Sequence, residues 1–140
     1  MYLVDTNIWL ERLLGQSKSD EVGQFLDQTP TNKLFITDFA FHSIGVILTR
    51  LKRKAVLLDF VQDVFVEGTV TLVSLKPEET QDVVDAIDRY QLDFDDAYQY
   101  LAAERNGLTL VSFDGDLDKT PNGRKTPAEI PAASVISDIE

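Results

Sequence analysis

The sequence predicts an α/β layer fold built on a mainly parallel sheet of four or five strands. Three observations carry this expectation. Short β runs alternate with helical stretches along the chain. The first two β runs, Tyr2-Leu3-Val4 and Leu34-Phe35-Ile36, lead at once into helix-capping residues, Asp5-Thr6-Asn7 and Thr37-Asp38. Between the β runs, apolar residues recur three and four apart, the period of a helix with one buried face.

Taken in order, Tyr2-Leu3-Val4 is the first strand and residues 8–14 a helix that ends near Gly15. Val22, Phe25 and Leu26 mark a second helix, which Pro30 stops. Leu34-Phe35-Ile36 is the second strand. Ala40, Phe41, Ile44, Ile47, Leu48 and Leu51 then form a continuous apolar stripe on the helix that follows. Leu57, Phe60, Val61, Val64 and Phe65 repeat the rhythm on another helix, with Gly68 as its expected left-handed terminator. The β-branched run 70–75 is the third strand. Pro77, Glu78 and Glu79 suit the positive end of a helix whose apolar face carries Val83, Val84, Ile87 and Tyr90. Phe94, Ala97, Tyr98, Leu101 and Ala102 mark the last long helix, closed at Asn106-Gly107. Leu108-Thr109-Leu110-Val111 is the fourth strand, running into Ser112-Phe113-Asp114. From about residue 117 the chain reads as an irregular tail, with Ser134-Val135-Ile136 a candidate edge strand. No repeat or linker divides residues 1–140, so a single domain is expected.

Composition narrows the function classes. A 140-residue chain with 44% hydrophobic and 26% charged residues has the balance of an ordinary soluble domain. The absence of Cys excludes thiolate zinc sites and cysteine nucleophiles, and one His cannot build a histidine-rich metal site. No signal peptide or membrane-spanning run is expected, and the cytoplasm is the expected location. The net charge of −11 opposes a broad nucleic-acid surface of the usual basic kind. Either the acids are spread over solvated helix faces, or some face inward on a cation that would neutralise them and attract phosphate.

Three aspartates share an address. Asp5 follows the first strand, Asp114 follows the fourth, and Asp96 lies in the first turn of the helix before the fourth strand. Open α/β sheets form their sites beyond the carboxyl ends of the strands. Asp116, two residues past Asp114, can face the same way. Each has a plain structural reading: Asp5 as a helix cap, Asp96 as a dipole partner, Asp114-Gly115-Asp116 as a turn. Gathered together, they would repel one another and raise one another's pKa, a penalty that a divalent cation removes. With oxygen donors only, Mg²⁺ or Mn²⁺ fits best, and such an ion can activate water and polarise a phosphodiester.

Val4-Asp5-Thr6-Asn7, Asp96-Ala97 opening the helix that holds Ala102-Ala103-Glu104-Arg105-Asn106-Gly107, and Leu110-Val111-Ser112-Phe113-Asp114 together resemble the PIN-domain family, including VapC-type toxins. The resemblance spans nearly the whole chain in order and spacing; the tail beyond Leu117 fits it least. It implies a PIN-like three-layer α/β/α sandwich and hydrolysis of single-stranded RNA by a Mg²⁺- or Mn²⁺-dependent ribonuclease. Carried over by position, Asp5, Asp96 and Asp114 are the catalytic, metal-binding acids and Asp116 an additional metal ligand. Asn7 and Ser112 are supporting polar groups. It further implies a small antitoxin protein as partner, if the chain is the toxin of a toxin–antitoxin pair, and a homodimer.

One position departs from the family pattern. A Glu usually stands in the first turns of the helix after the second strand, and here Ser43 occupies that place. Ser cannot supply the missing charge, though it can hold a water. His42 and Asp38 lie nearby, His42 better read as a solvated polar residue and Asp38 as a cap. The alternative reading is therefore a catalytically impaired PIN-like module that binds RNA or a protein partner. A receiver-like or phosphatase-like domain fits less well, because no second acid adjoins Asp5 and no suitable Lys follows a later strand. Trp9, Tyr98 and Tyr100 are aromatics expected near the site, of which Tyr98 reads as core. Two basic segments, residues 50–54 and Arg124-Lys125, are the candidates for phosphate contact. The first equally suits a helix C-terminus.

Overall fold

The computed structural model describes residues 1–132. Its centre is an all-parallel sheet of four strands in the order β3-β2-β1-β4. The strands are β1 (Tyr2–Val4), β2 (Leu34–Thr37), β3 (Thr71–Val73) and β4 (Thr109–Val111). Six α-helices connect or flank them: α1 (Thr6–Leu13), α2 (Ser19–Gln28), α3 (Asp38–Arg50), α4 (Lys54–Val61), α5 (Thr80–Tyr90) and α6 (Phe94–Arg105). The α/β architecture and parallel sheet agree with the sequence pattern.

Strand residues alternate between two apolar clusters, as the period of two in a pleated strand requires. Val4, Leu34, Ile36 and Val111 join Ile8, Trp9, Val22, Phe25, Ile44, Leu48 and Phe60 from α1 to α4 on one face. Leu3, Leu110 and the partly buried Phe35 join Val83, Ala86, Ala97, Leu101 and Ala102 from α5 and α6 on the other. The sheet is thus the middle of three layers. Burial on both faces explains why β1, β2 and β4 read as apolar runs without polar alternation, whereas β3, at the sheet edge, is largely exposed.

Several local details differ from the expectation. β3 pairs only over Thr71–Val73, shorter than the 70–75 run, because the chain then leaves the sheet and Leu75 N–H donates to the Tyr98 hydroxyl at 2.9 Å. The helix through residues 57–65 is α4 continued by a π-helical turn, Gln62–Glu67. Gly68, which follows that turn, is extended rather than left-handed. A glycine is still required there: a Cβ would stand 2.7 Å from the Val64 carbonyl oxygen and 2.8 Å from that of Asp63. The left-handed terminator appears instead at Gln91, which closes α5 with φ 55°.

Two features aim the site. In β1 and β4, Val4 lies opposite Val111, so Asp5 and Ser112 leave the sheet side by side. After Asp114 the chain forms a 3₁₀ turn, Gly115–Lys119, pinned by the fully buried Leu117. It then returns along β4, where Lys125 N–H donates to Leu110 O and Lys125 O accepts from Ser112 N–H, both at 2.9 Å. The candidate edge strand at 134–136 lies outside the described residues. Among the described residues, no helix is long and apolar enough to cross a membrane.

Candidate metal centre

A cleft of about 270 Å³ opens beyond the carboxyl ends of β1, β2 and β4. Asp5, Ser43, Asp96 and Asp114 line it, with Thr6, Asn7, Phe39, Asp95 and Gln99. Local sequence accounts for each placement. Asp5 caps α1 and accepts Thr6 N–H at 2.8 Å, so its capping role and its place in the cleft coincide. Asp96 sits in the first turn of α6, whose backbone begins at Asp93, although the Asp93 side chain makes no capping bond. Asp114 starts the 3₁₀ turn and accepts Asp116 N–H at 2.9 Å.

Asp5 is only 6% exposed and its carboxylate is enclosed by donors. Oδ1 accepts from Thr6 N–H and from Gln99 Nε2 at 2.9 Å. Oδ2 accepts from Ser112 Oγ at 2.7 Å and, more weakly, from Asn7 Nδ2 at 3.5 Å. Ser112 Oγ in turn accepts from Asn7 Nδ2 and from Asp114 N–H, and Asn7 Oδ1 accepts Phe113 N–H. Asn7 and Ser112 therefore lace the ends of β1 and β4 together. Burial pushes the Asp5 carboxyl up from its ordinary value, while the bonds from Gln99, Ser112 and Thr6 oppose that rise.

Gln99 escaped the sequence reading, and Thr37 was legible only as a helix cap. Gln99, 1% exposed, sits three residues after Asp96 on α6, so the two share a helix face. Thr37 Oγ1 donates to Gln99 Oε1 at 2.6 Å while accepting Ala40 N–H as the cap of α3. This bond turns the Gln99 amide so that its N–H faces Asp5. The available signal was a Gln inside an apolar stripe, directly in register with Asp96. Gln99→Leu is expected to lower the unfolding free energy by about 1–3 kcal/mol, since it strips Asp5 and Thr37 of a buried partner; the midpoint of urea unfolding measures it.

Beside Asp5, one oxygen from each of Asp96, Asp114 and Asp116 lies within 4.8 Å of the others. Asp96 is buried, Asp114 half-buried and Asp116 exposed. Burial first, and then the adjoining Asp114 carboxylate, push the Asp96 carboxyl up to about 7, with smaller contributions from Asp5 and Asp93. Carboxylates this close cannot all ionise cheaply without a counter-ion. The donors are all oxygen, the preference of a hard divalent cation. Thr6 Oγ1, buried in the wall of the same cleft, has no protein partner among the described residues and offers a further polar contact. These residues fit a divalent cation.

The other expected residues divide. Ser43 lines the cleft, whereas His42 is exposed and does not. Asp38 is not the cap of α3; it accepts Phe39 N–H and the Tyr98 hydroxyl. Trp9 and Tyr100 are core residues, packed edge-on against Phe60 and Tyr90. Tyr98 is half-buried rather than core. Arg124 spends its guanidinium on Asp118 and the Ser112 carbonyl. The basic run 50–54 begins at the C-terminal end of α3, three residues past Ile47, and none of its residues lines the cleft. One cation the sequence did not single out sits beside the β4 end: Lys18 Nζ lies 4.6 Å from the centre of the Phe113 ring, and Phe113 adjoins Asp114 in the chain.

The sequence model for the PIN domain family matches residues 2–123. No curated protein matches the sequence. The fold is similar to that of a toxin–antitoxin complex from Klebsiella pneumoniae, with TM-score 0.74 and 20% identity over 93% of this chain and 100% of that one. It is similar to VapC20 of Mycobacterium tuberculosis, a toxin that cleaves the sarcin–ricin loop, with TM-score 0.71 and 15% identity over 83% of this chain and 92% of that one. It is also similar to FitAcB from Neisseria gonorrhoeae, with TM-score 0.73 and 18% identity over 93% and 100% of the two chains.

Proposed function

Since this chain belongs to the PIN domain family, we propose that it is a Mg²⁺- or Mn²⁺-dependent ribonuclease that hydrolyses single-stranded RNA, acting as the toxin of a toxin–antitoxin pair. The observation that carries this reading is the convergence of Asp96, Asp114 and Asp116 next to the buried Asp5. Asp96 and Asp114, with Asp116 at the rim, would hold the cation. Asp5, expected with them as a metal-binding acid, would stand behind the other three, its oxygens engaged by protein donors that keep the ends of β1 and β4 in register. A bound cation would lower the pKa of water and polarise the scissile phosphoryl group. No covalent protein nucleophile is needed. Lys18, beside Phe113, would be a candidate to meet a neighbouring phosphate. The small antitoxin partner belongs to the same proposal, supported by a toxin–antitoxin complex of similar fold; a homodimer is proposed with it on the family resemblance alone.

The test is cleavage of single-stranded RNA by the purified chain with Mn²⁺, with Mg²⁺ and with EDTA, beside an Asp96→Asn variant. Metal-dependent cleavage that the variant loses supports the reading, and cleavage retained by the variant assigns the activity elsewhere. Ser43 favours a second reading, a module with weakened or no catalysis, since it brings a hydroxyl to the cleft where the family pattern has a carboxylate. Ser43→Glu separates the two. The substitution adds a charge to the cleft wall and is expected to tighten Mn²⁺ binding about tenfold or more, measured calorimetrically. A rise in cleavage alongside would mark the natural chain as an enzyme working below the capacity of its fold.

A further inference from the structure

We propose that Phe39, Tyr98 and Phe94 form a ledge on which an unpaired base of the RNA strand stacks beside the carboxylate cluster; this rests on the nuclease reading above. The three rings lie in a row. Phe39, from the first turn of α3, lines the cleft itself. Its ring centre is 6.0 Å from that of Tyr98, which is 6.2 Å from that of Phe94. Phe94 opens α6 two residues before Asp96 and is 48% exposed.

The geometry of the row differs from that of the interior. The remaining aromatic pairs meet edge to face, at interplanar angles of 67° to 87°. In the row the angles fall to 45° and 33°, so successive rings are tilted toward one another's faces rather than set edge-on. The middle ring is fixed: the Tyr98 hydroxyl donates to Asp38 Oδ1 at 2.7 Å and accepts Leu75 N–H at 2.9 Å. A ring anchored at its polar end loses little freedom when another flat group settles against its neighbours.

Charge selects the occupant. Asp38, Asp93 and Asp95 are all exposed around the row. They would repel a phosphate, yet a neutral base can stack there while its phosphate turns toward the cation held by the carboxylates. Stacking on aromatic faces tolerates any base and needs the base unpaired, which matches a single-stranded substrate. The acidity of the chain, an obstacle to backbone-tracking recognition, is thereby compatible with recognition through bases.

The experiment uses the full chain carrying Asp96→Asn, chosen because its cleavage is expected to be at least ~100-fold slower, with and without Phe94→Ala or Phe94→Trp. Binding is measured to a short single-stranded oligoribonucleotide and to an abasic oligomer of equal length. Phe94→Ala is expected to weaken binding of the first by roughly 5- to 100-fold and to leave the second unchanged. Phe94→Trp is expected to preserve affinity, with its fluorescence quenched by the base-bearing strand alone. Phe94 is exposed, so the variants should melt with their parent. Equal affinity of the parent and Phe94→Ala chains for the base-bearing strand overturns the ledge, and sensitivity of Phe94→Ala to a protein ligand instead would reassign the face. If the unsubstituted chain cleaves RNA in Mn²⁺ while Phe94→Ala changes nothing, only the ledge falls. If it neither cleaves nor binds RNA, the nuclease reading fails and takes the ledge with it.

Discussion

Asp96→Asn should cost at least ~100-fold in metal-dependent RNA cleavage while leaving the fold intact. Substitutions one shell outside a metal already cost about 10- to 100-fold in affinity or activity, and Asp96 stands among the carboxylates themselves. Asn keeps the shape and one oxygen but removes the charge. The loss should be largest at low Mn²⁺ concentration and shrink partly as Mn²⁺ is raised, because weakened cation affinity is half of the defect. The other half, a misplaced cation, is not recovered by mass action. Initial rates measured across a Mn²⁺ titration, for both chains, separate the two. Retained cleavage at all concentrations would remove Asp96 from the mechanism.

The same substitution should act in the opposite direction on stability. In the cation-free protein the Asp96 carboxyl sits at about 7, against 3.8 for an unperturbed Asp. Between those values the folded chain binds more protons than the unfolded one, so stability falls as pH rises. The contribution is fully present below pH 3.8 and is lost as pH climbs through 7. The loss is on the order of 2–4 kcal/mol, at about 1.4 kcal/mol for each pKa unit and discounted for partial solvation of the Asp96 carboxyl. Chemical denaturation between pH 5 and 8, expressed as approximate midpoints in EDTA, should show this slope. Saturating Mn²⁺ should abolish it, since the cation replaces the proton as counter-charge and stabilises the folded state by mass action. Asp96→Asn should flatten the slope without any cation and be the more stable chain at the upper pH. A stability that rises with pH in EDTA would mean that the carboxylates do not crowd one another as described.

The opposed signs are the expected behaviour of a site built for a charged ligand: groups gathered for function are held at a cost to the empty fold. Asp5 is managed differently. Its burial raises its pKa, and the bonds from Gln99, Ser112 and Thr6 oppose part of that rise, so protein donors engage Asp5 while Asp96 and Asp114 are left for an external cation.

Local sequence determined the elements and the order of the acids. Apolar runs too short for helices, each followed by capping residues, were legible as β1 and β2, and the stripe from Ala40 to Leu51 was legible as α3, because strand and helix periods are set by backbone geometry within a few residues. For the same reason Asp5, Asp96 and Asp114 could be assigned to element ends before any coordinates. Contacts between elements far apart in the chain were not legible. Gln99 reaching Asp5 across 94 residues, the Tyr98 hydroxyl joining Leu75 to Asp38, and Phe94 left exposed while Trp9 and Tyr100 are buried depend on how whole layers pack. Periodicity shows that a residue faces out from its own helix or strand; only the tertiary structure decides what it faces, because that depends on the positions of elements to which no local rule refers.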